Sequence, residues 1–254
     1  MSRRYDQSTT TFSPEGRLHQ VEYAINAINN AGTCVGIMAK DSVILAAEKK
    51  QLSILLANSE HAKGSEKMYK IDDHICCVVA GLSSDASILI NQARLSSQQY
   101  LYRYQEAMPV EMLVQRICDY KQAYTQYGGL RPFGVGFLFC GWDKHHGYQL
   151  YQSDPSGNYS GWLAAAIGES NPAGKSLLKA EFEEGADTRT CIKLAAKVLS
   201  KTMDTTSPTA DKMEFLVLTA DEETGIVSQR ILPDEELTVI LEELQEEVAS
   251  EGDA

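Results

Sequence analysis

Strand-like segments arrive along this chain in groups and helix-like segments in pairs, and that order narrows the fold more than any other feature of the sequence. After a polar start, residues 33–39 and 42–48 read as two strands joined by a tight Lys40-Asp41 connection, and residues 68–71 and 74–80 as two more around Asp72-Asp73. Helical spacing then takes over. Ala86, Leu89, Ala93, Ser97, Tyr100 and Tyr104 share one face of residues 84–105, and Val110, Leu113, Val114, Ile117, Cys118 and Tyr124 recur at three- and four-residue steps after Pro109. The cycle repeats with strands at 133–142, 148–153 and 162–167, helices opening at Asn171-Pro172 and at Thr188, strands at 214–219 and 226–231, and a last helix carrying Leu237, Leu241, Leu244 and Val248. Strict strand-helix alternation is missing, which argues against a doubly wound parallel sheet and for paired sheets with paired helices on their outer faces. Sheets buried on both sides also account for residues 75–80 and 135–139, which are apolar without interruption.

One large domain suits 254 residues of which 43% are hydrophobic and 23% charged. The net charge is −12, but nine of the 35 acids lie in residues 233–254, where there is no Lys or Arg; the remainder holds 26 acids against 23 bases. Without a broad cationic surface, nucleic acid and membrane are not expected as partners. The longest apolar runs, near 75–81 and 133–142, fall well short of the ~18–20 residues that cross a bilayer. Residues 1–12 are polar and offer no apolar core of a secretory signal, so the expectation is an intracellular protein. Its six cysteines sit mostly in apolar segments, with no CxxC and no His at zinc spacing, and are expected to be reduced, buried side chains with no metal.

Searches for familiar chemistry return little. There is no GxGxxG, P-loop, HExxH, GxSxG or EF-hand loop. Asn171-Pro-Ala-Gly-Lys-Ser176 ends like a phosphate cradle but lacks the upstream glycine, and reads as a plain helix N-terminus. His145-His146 after Asp143 reads as a solvated hairpin tip. Ser13-Pro14 offers a helix entry, followed by the apolar stripe Leu18, Val21, Ile25 and Ile28. By its pattern that stripe would pack on the chain's own core.

Several stretches together resemble one family. Tyr5-Asp6, Phe12-Ser-Pro-Glu-Gly-Arg-Leu18 and Gln20-Val-Glu-Tyr-Ala24 are similar to the N-terminal signature of the 20S proteasome alpha-type subunits. Gly32-Thr33, Ala80-Gly81 with Ser84-Asp85, Tyr124-Thr-Gln-Tyr-Gly-Gly129, Arg131-Pro-Phe-Gly134 and Asp154-Pro-Ser-Gly157 follow in the family's order. Residues 1–6, 141–144 and 148–159 carry a narrower likeness to one of the eukaryotic alpha types. The resemblance implies an α+β fold, a four-layer αββα sandwich of two antiparallel sheets of the Ntn-hydrolase kind, preceded by an N-terminal helix. It divides the chain into a gate tail (1–12), the sandwich (13–232) and an acidic C-terminal helix and tail (233–254). It further implies a seven-membered ring of alpha subunits stacked on beta subunits, with regulatory ATPases or activators docking on it, in cytoplasm and nucleus. In that setting the stripe from Leu18 to Ile28 would face a neighbouring subunit.

The active beta subunits of that superfamily use an N-terminal Thr whose free amine assists proton removal, with an Asp and a Lys nearby. Matching Val43-Ile-Leu-Ala-Ala-Glu48 to the corresponding strand puts Gly32 at the nucleophile and Glu48 at the aspartate, and the lysine in the stretch around Gly64. Thirty-one residues precede Gly32, so even Thr33 has no free amine without cleavage. The chain is therefore expected to be a non-catalytic ring and gate subunit needing no cofactor. Two alternatives are a processed N-terminal threonine hydrolase and a free-standing hydrolase using a cysteine. By the same resemblance Tyr5, Asp6, Pro14 and Tyr23 hold the gate, and Glu66-Lys67 lies in a pocket that receives a regulator's C-terminal carboxylate. Read without the family, Lys63, Lys67 and Lys70 are solvated charges ahead of a strand.

Overall fold

Alternate side chains of the apolar runs go to different layers. The computed structural model describes residues 8–49, 67–169, 171–203, 209–221 and 224–252. Within it strand β4 (Ile75–Gly81) sends Ile75, Cys77 and Val79 to one cluster and Cys76, Val78 and Ala80 to another. Strand β5 (Val135–Asp143) divides Phe137 and Phe139 from Leu138 and Cys140 in the same way, and β2 (Ser42–Glu48) divides Ile44 and Ala46 from Val43, Leu45 and Ala47. A period of two with both faces apolar requires a covered layer on each side of each sheet.

The remaining strands are β1 (Cys34–Met38), β3 (Met68–Asp72), β6 (Gly147–Ser153), β7 (Tyr159–Gly161), β8 (Ala164–Ile167), β9 (Met213–Ala220) and β10 (Val227–Ile231). They form two five-stranded sheets, ordered β10-β9-β2-β1-β8 and β3-β4-β5-β6-β7, with every neighbouring pair antiparallel. Helices α2 (Ser83–Tyr104) and α3 (Val110–Gln126) cover the outer face of the second sheet through Ala86, Leu89, Ala93, Leu113, Val114 and Ile117. Helices α4 (Asn171–Glu181), α5 (Thr188–Thr202) and α6 (Asp234–Gly252) cover the first sheet through residues such as Leu178, Ala195, Leu199, Leu237 and Leu241. A third cluster, including Leu45, Val78, Leu138 and Leu150, fills the space between the sheets. The result is the expected αββα sandwich.

Helix α1 (His19–Asn29) starts five residues later than Ser13-Pro14 suggested. Residues 13–17 instead close a turn of their own, with the Ser13 N–H donating to the Arg17 carbonyl at 2.9 Å and the Gly16 N–H to the Ser13 carbonyl at 2.9 Å. The Ser13 hydroxyl accepts the Arg17 N–H, so it caps this turn and leaves the helix to begin after Leu18 without a side-chain cap. Val21, Ala24 and Ile28 are buried, and Ile28 enters the inter-sheet cluster. Of the stripe read from the sequence, Val21 and Ile28 thus pack on the chain's own core, while Leu18 and Ile25 are half-buried. Tyr23 on the same helix is left exposed, as is Phe12 ahead of the turn.

Candidate functional site

The start of β1 and the ends of β2 and β8 converge where the chain leaves α1. The Thr33 N–H donates to Glu48 Oε2 at 3.1 Å, the Thr33 hydroxyl donates to the Glu169 carbonyl at 2.6 Å, and the Glu48 N–H returns to the Thr33 carbonyl at 2.9 Å. The Glu169 N–H donates in turn to the Ala31 carbonyl at 2.6 Å. Gly32 lies between these anchors. A Cβ added there would stand 2.5 Å from Lys67 Nζ and 3.0 Å from Glu48 Oε2, so any side chain at 32 would displace the ammonium or the carboxylate. Sequence reasoning places a glycine at the nucleophile and Glu48 at the aspartate, but seeks the lysine near Gly64. The structure brings Lys67 to that place, with its Nζ out of solvent and without a hydrogen-bond partner.

This arrangement has the charges of a threonine-hydrolase centre without its reactive group. The nitrogen of Thr33 is a peptide N–H, already spent on Glu48, and carries no lone pair that could take a proton. A cysteine offers no substitute. Cys34 is fully buried, its S–H directed to the Val79 carbonyl at 3.4 Å, and burial pushes its pKa up to about 12. All six cysteines are buried. Among the described residues no group of three or more His, Cys, Asp or Glu side chains is placed to hold a metal ion. The His145 and His146 N–H groups both donate to Asp143 Oδ1, which accounts for that pair as a hairpin turn.

Other stretches that carried the resemblance prove to be joints. Asp85, at the start of α2, takes two hydrogen bonds from the Arg131 guanidinium at 2.6 and 2.8 Å and one from the Gly134 N–H at 2.9 Å. Arg131 first, and the Gly134 N–H with it, hold the Asp85 carboxyl below its usual range against the effect of burial. Gly81, at φ 121°, lets the chain pass against the Gly134 carbonyl, where any other residue would collide with that backbone. The turn at 154–157 is pressed on α3: a Cβ on Gly157 would lie 2.6 Å from the Cys118 carbonyl. Beneath it lies Lys121, fully buried and overlooked in the sequence. Its ammonium donates to the Val135 carbonyl at 3.1 Å, Ser153 Oγ at 3.0 Å and the Asp154 carbonyl at 3.4 Å.

The residues expected at the gate and at the docking pocket are only partly visible. Pro14 is exposed in the turn before α1, and Tyr23 is exposed on that helix. Arg17 reaches over to Glu22 through two hydrogen bonds at 2.6 and 2.8 Å, which stiffens the entry to α1. Tyr5, Asp6, Lys63 and Glu66 lie outside the described residues. No described helix is long and apolar enough to cross a membrane.

Comparison with known proteins agrees with this geometry over nearly the whole chain. Residues 28–218 match the proteasome subunit family, and residues 5–27 match the N-terminal signature of the A-type proteasome subunits. The chain is 63% identical to the alpha type-4-A proteasome subunit of Arabidopsis thaliana over 215 residues, 85% of each chain. It is 57% identical to the alpha type-4-1 proteasome subunit of Oryza sativa subsp. indica over 241 residues, 95% of each. With the alpha type-4 proteasome subunit of Spinacia oleracea it shares 61% identity over 215 residues, again 85% of each chain. The family match, the N-terminal signature and a hydrolase-like centre lacking its nucleophile agree: the chain belongs to the proteasome subunit family, among its alpha-type members.

Proposed function

We propose that this chain is a non-catalytic wall of the 20S proteasome core, occupying one position of a seven-membered alpha ring above the beta subunits. There it would act as scaffold, as part of the substrate-entry gate and as a docking surface for regulatory ATPases or activators. Its work would serve ubiquitin-dependent and ubiquitin-independent protein degradation in cytoplasm and nucleus. The observation that carries the reading is the alpha-type signature over residues 5–27, which runs straight into a family match over the sandwich. A ring of related subunits closes by heterologous contact, in which each member offers different surfaces to its two neighbours. The exposed Tyr23 and Phe12 suit such a contact.

Tyr5, Asp6, Pro14 and Tyr23 are the residues we assign to the gate, with residues 1–12 as its tail. Glu66 and Lys67 are assigned to regulator docking. What supports the second assignment is the Lys67 ammonium, out of solvent and lacking a hydrogen-bond partner, because an entering carboxylate would supply one.

Native mass spectrometry of the complex purified through this chain tests the reading. The expected result is an assembly of alpha and beta subunits containing one full-length 28.0 kDa chain per alpha ring. Recovery of the chain alone would overturn it. A chain shortened to begin at Thr33 would favour the threonine-hydrolase alternative.

A further inference from the structure

Cys76 on β4 and Cys140 on β5 stand directly opposite each other, both fully buried between the sheets, with their Sγ atoms 2.9 Å apart. The Trp142 N–H donates to the His74 carbonyl at 3.1 Å, two residues along the same ladder. Hydrogen-bonded pairs recur every second residue in an antiparallel ladder, so Cys76 and Cys140 form one as well, with Cα atoms ~5.5 Å apart. That spacing lies within the ~4.4–6.8 Å window of disulfides. Their thiol neighbours are engaged elsewhere. Cys77 points to the opposite face of the sheet, and the Cys34 S–H is directed to the Val79 carbonyl.

We propose that Cys76 and Cys140 are an oxidative modification site, closing to a cross-strand disulfide when a peroxide reaches them. In the first step one sulfur attacks a peroxide oxygen and the O–O bond breaks, giving a sulfenic acid and one water. In the second the other thiol attacks the sulfenic sulfur; the S–S bond forms, the S–O bond breaks and the hydroxyl leaves with the thiol proton as a second water. Two thiols are oxidised and one hydrogen peroxide is reduced to two waters. Burial, with the Cys140 contact adding to it, holds the Cys76 thiol far above its ordinary pKa, so the first step is slow and proceeds from a local opening of the β4–β5 ladder. The second step joins atoms already side by side. The bond would fix the two strands on which α1 rests, with Ile28 against Gly136 of β5.

The test exposes the full-length chain to hydrogen peroxide, quenches it, unfolds it in N-ethylmaleimide and maps its peptides without reduction. Most molecules should yield a Cys76–Cys140 linked pair two hydrogens lighter than its components, removed by dithiothreitol, while Cys34, Cys77, Cys118 and Cys191 remain alkylated. Cys140→Ser should abolish the link and leave a sulfenic acid on Cys76 that dimedone traps. The proposal is overturned if Cys76 and Cys140 stay alkylated at peroxide doses that oxidise the exposed Met112, or if Cys76 pairs with other cysteines as often as it does in a chain oxidised while unfolded.

Discussion

The ammonium groups of Lys121 and Lys67 have left solvent, and they differ in what receives them. Lys121 has three acceptors and lies 4.7 Å from the Phe137 ring centroid, yet no carboxylate touches it. Burial therefore dominates and brings its pKa down to about 8 from 10.5. Between those two pH values the unfolded chain binds more protons than the folded one, so this residue's contribution to stability rises with pH across that window and is least favourable below 8. The rise amounts to about 3 kcal/mol. Lys121→Met should flatten it, as urea unfolding of wild type and variant at a series of pH values between about 7 and 11 would show. A lysine in the apolar stripe of α3 gives no sequence sign of this, because the usual lysine carries its charge out to water. Lys67 has the reverse deficiency, an ammonium beside Gly32 and Glu48 with no hydrogen bond. Lys67→Ala should weaken stimulation of the particle by activator peptides ending in a free carboxylate while leaving basal peptide hydrolysis intact. A peptide amide should not distinguish wild type from variant, and an equal loss on Lys63→Ala would remove the pocket assignment.

The elements were largely readable because each obeys one period over several residues. Helix α5 shows it best: Cys191, Leu194, Ala195, Val198 and Leu199 recur at the i, i+3, i+4, i+7 and i+8 positions of one face, and all are buried. Strand β7 escaped notice because three residues, Tyr159–Gly161, cannot display an alternation. The joint between Asp85 and Arg131 was invisible for another reason: 46 residues separate the partners, and nothing local in either stretch requires the other. Helix α6 illustrates how composition can mislead about role. Nine acids in residues 233–254 suggest a solvated appendage, but Leu237, Ile240, Leu241 and Leu244 form a buried stripe against the first sheet. Leu237→Ala should cost about 2–5 kcal/mol in denaturant unfolding. Val239→Ala, two positions away on the exposed face, should change stability by no more than about 0.5 kcal/mol.

For the molecule as a whole, the role we propose is control over what reaches the proteolytic chamber. Deleting residues 2–10 should raise basal hydrolysis of small peptides by the partner beta subunits, measured in the absence of any regulator, with assembly unchanged; an unaltered basal rate would remove this tail from the gate. Loss of these residues should leave the sandwich untouched. The junction between α1 and β1 carries a wider implication. To give Thr33 a free amine, cleavage must remove the 32 residues before it, and with them the helix whose Ile28 enters the inter-sheet layer and the Ala31 carbonyl that holds Glu169. The segment that would have to act as a disposable leader in a protease is here a permanent part of the architecture. Keeping that helix and freeing the Thr33 amine are thereby mutually exclusive for this polypeptide, so a copy that retains the helix leaves peptide-bond cleavage to other chains.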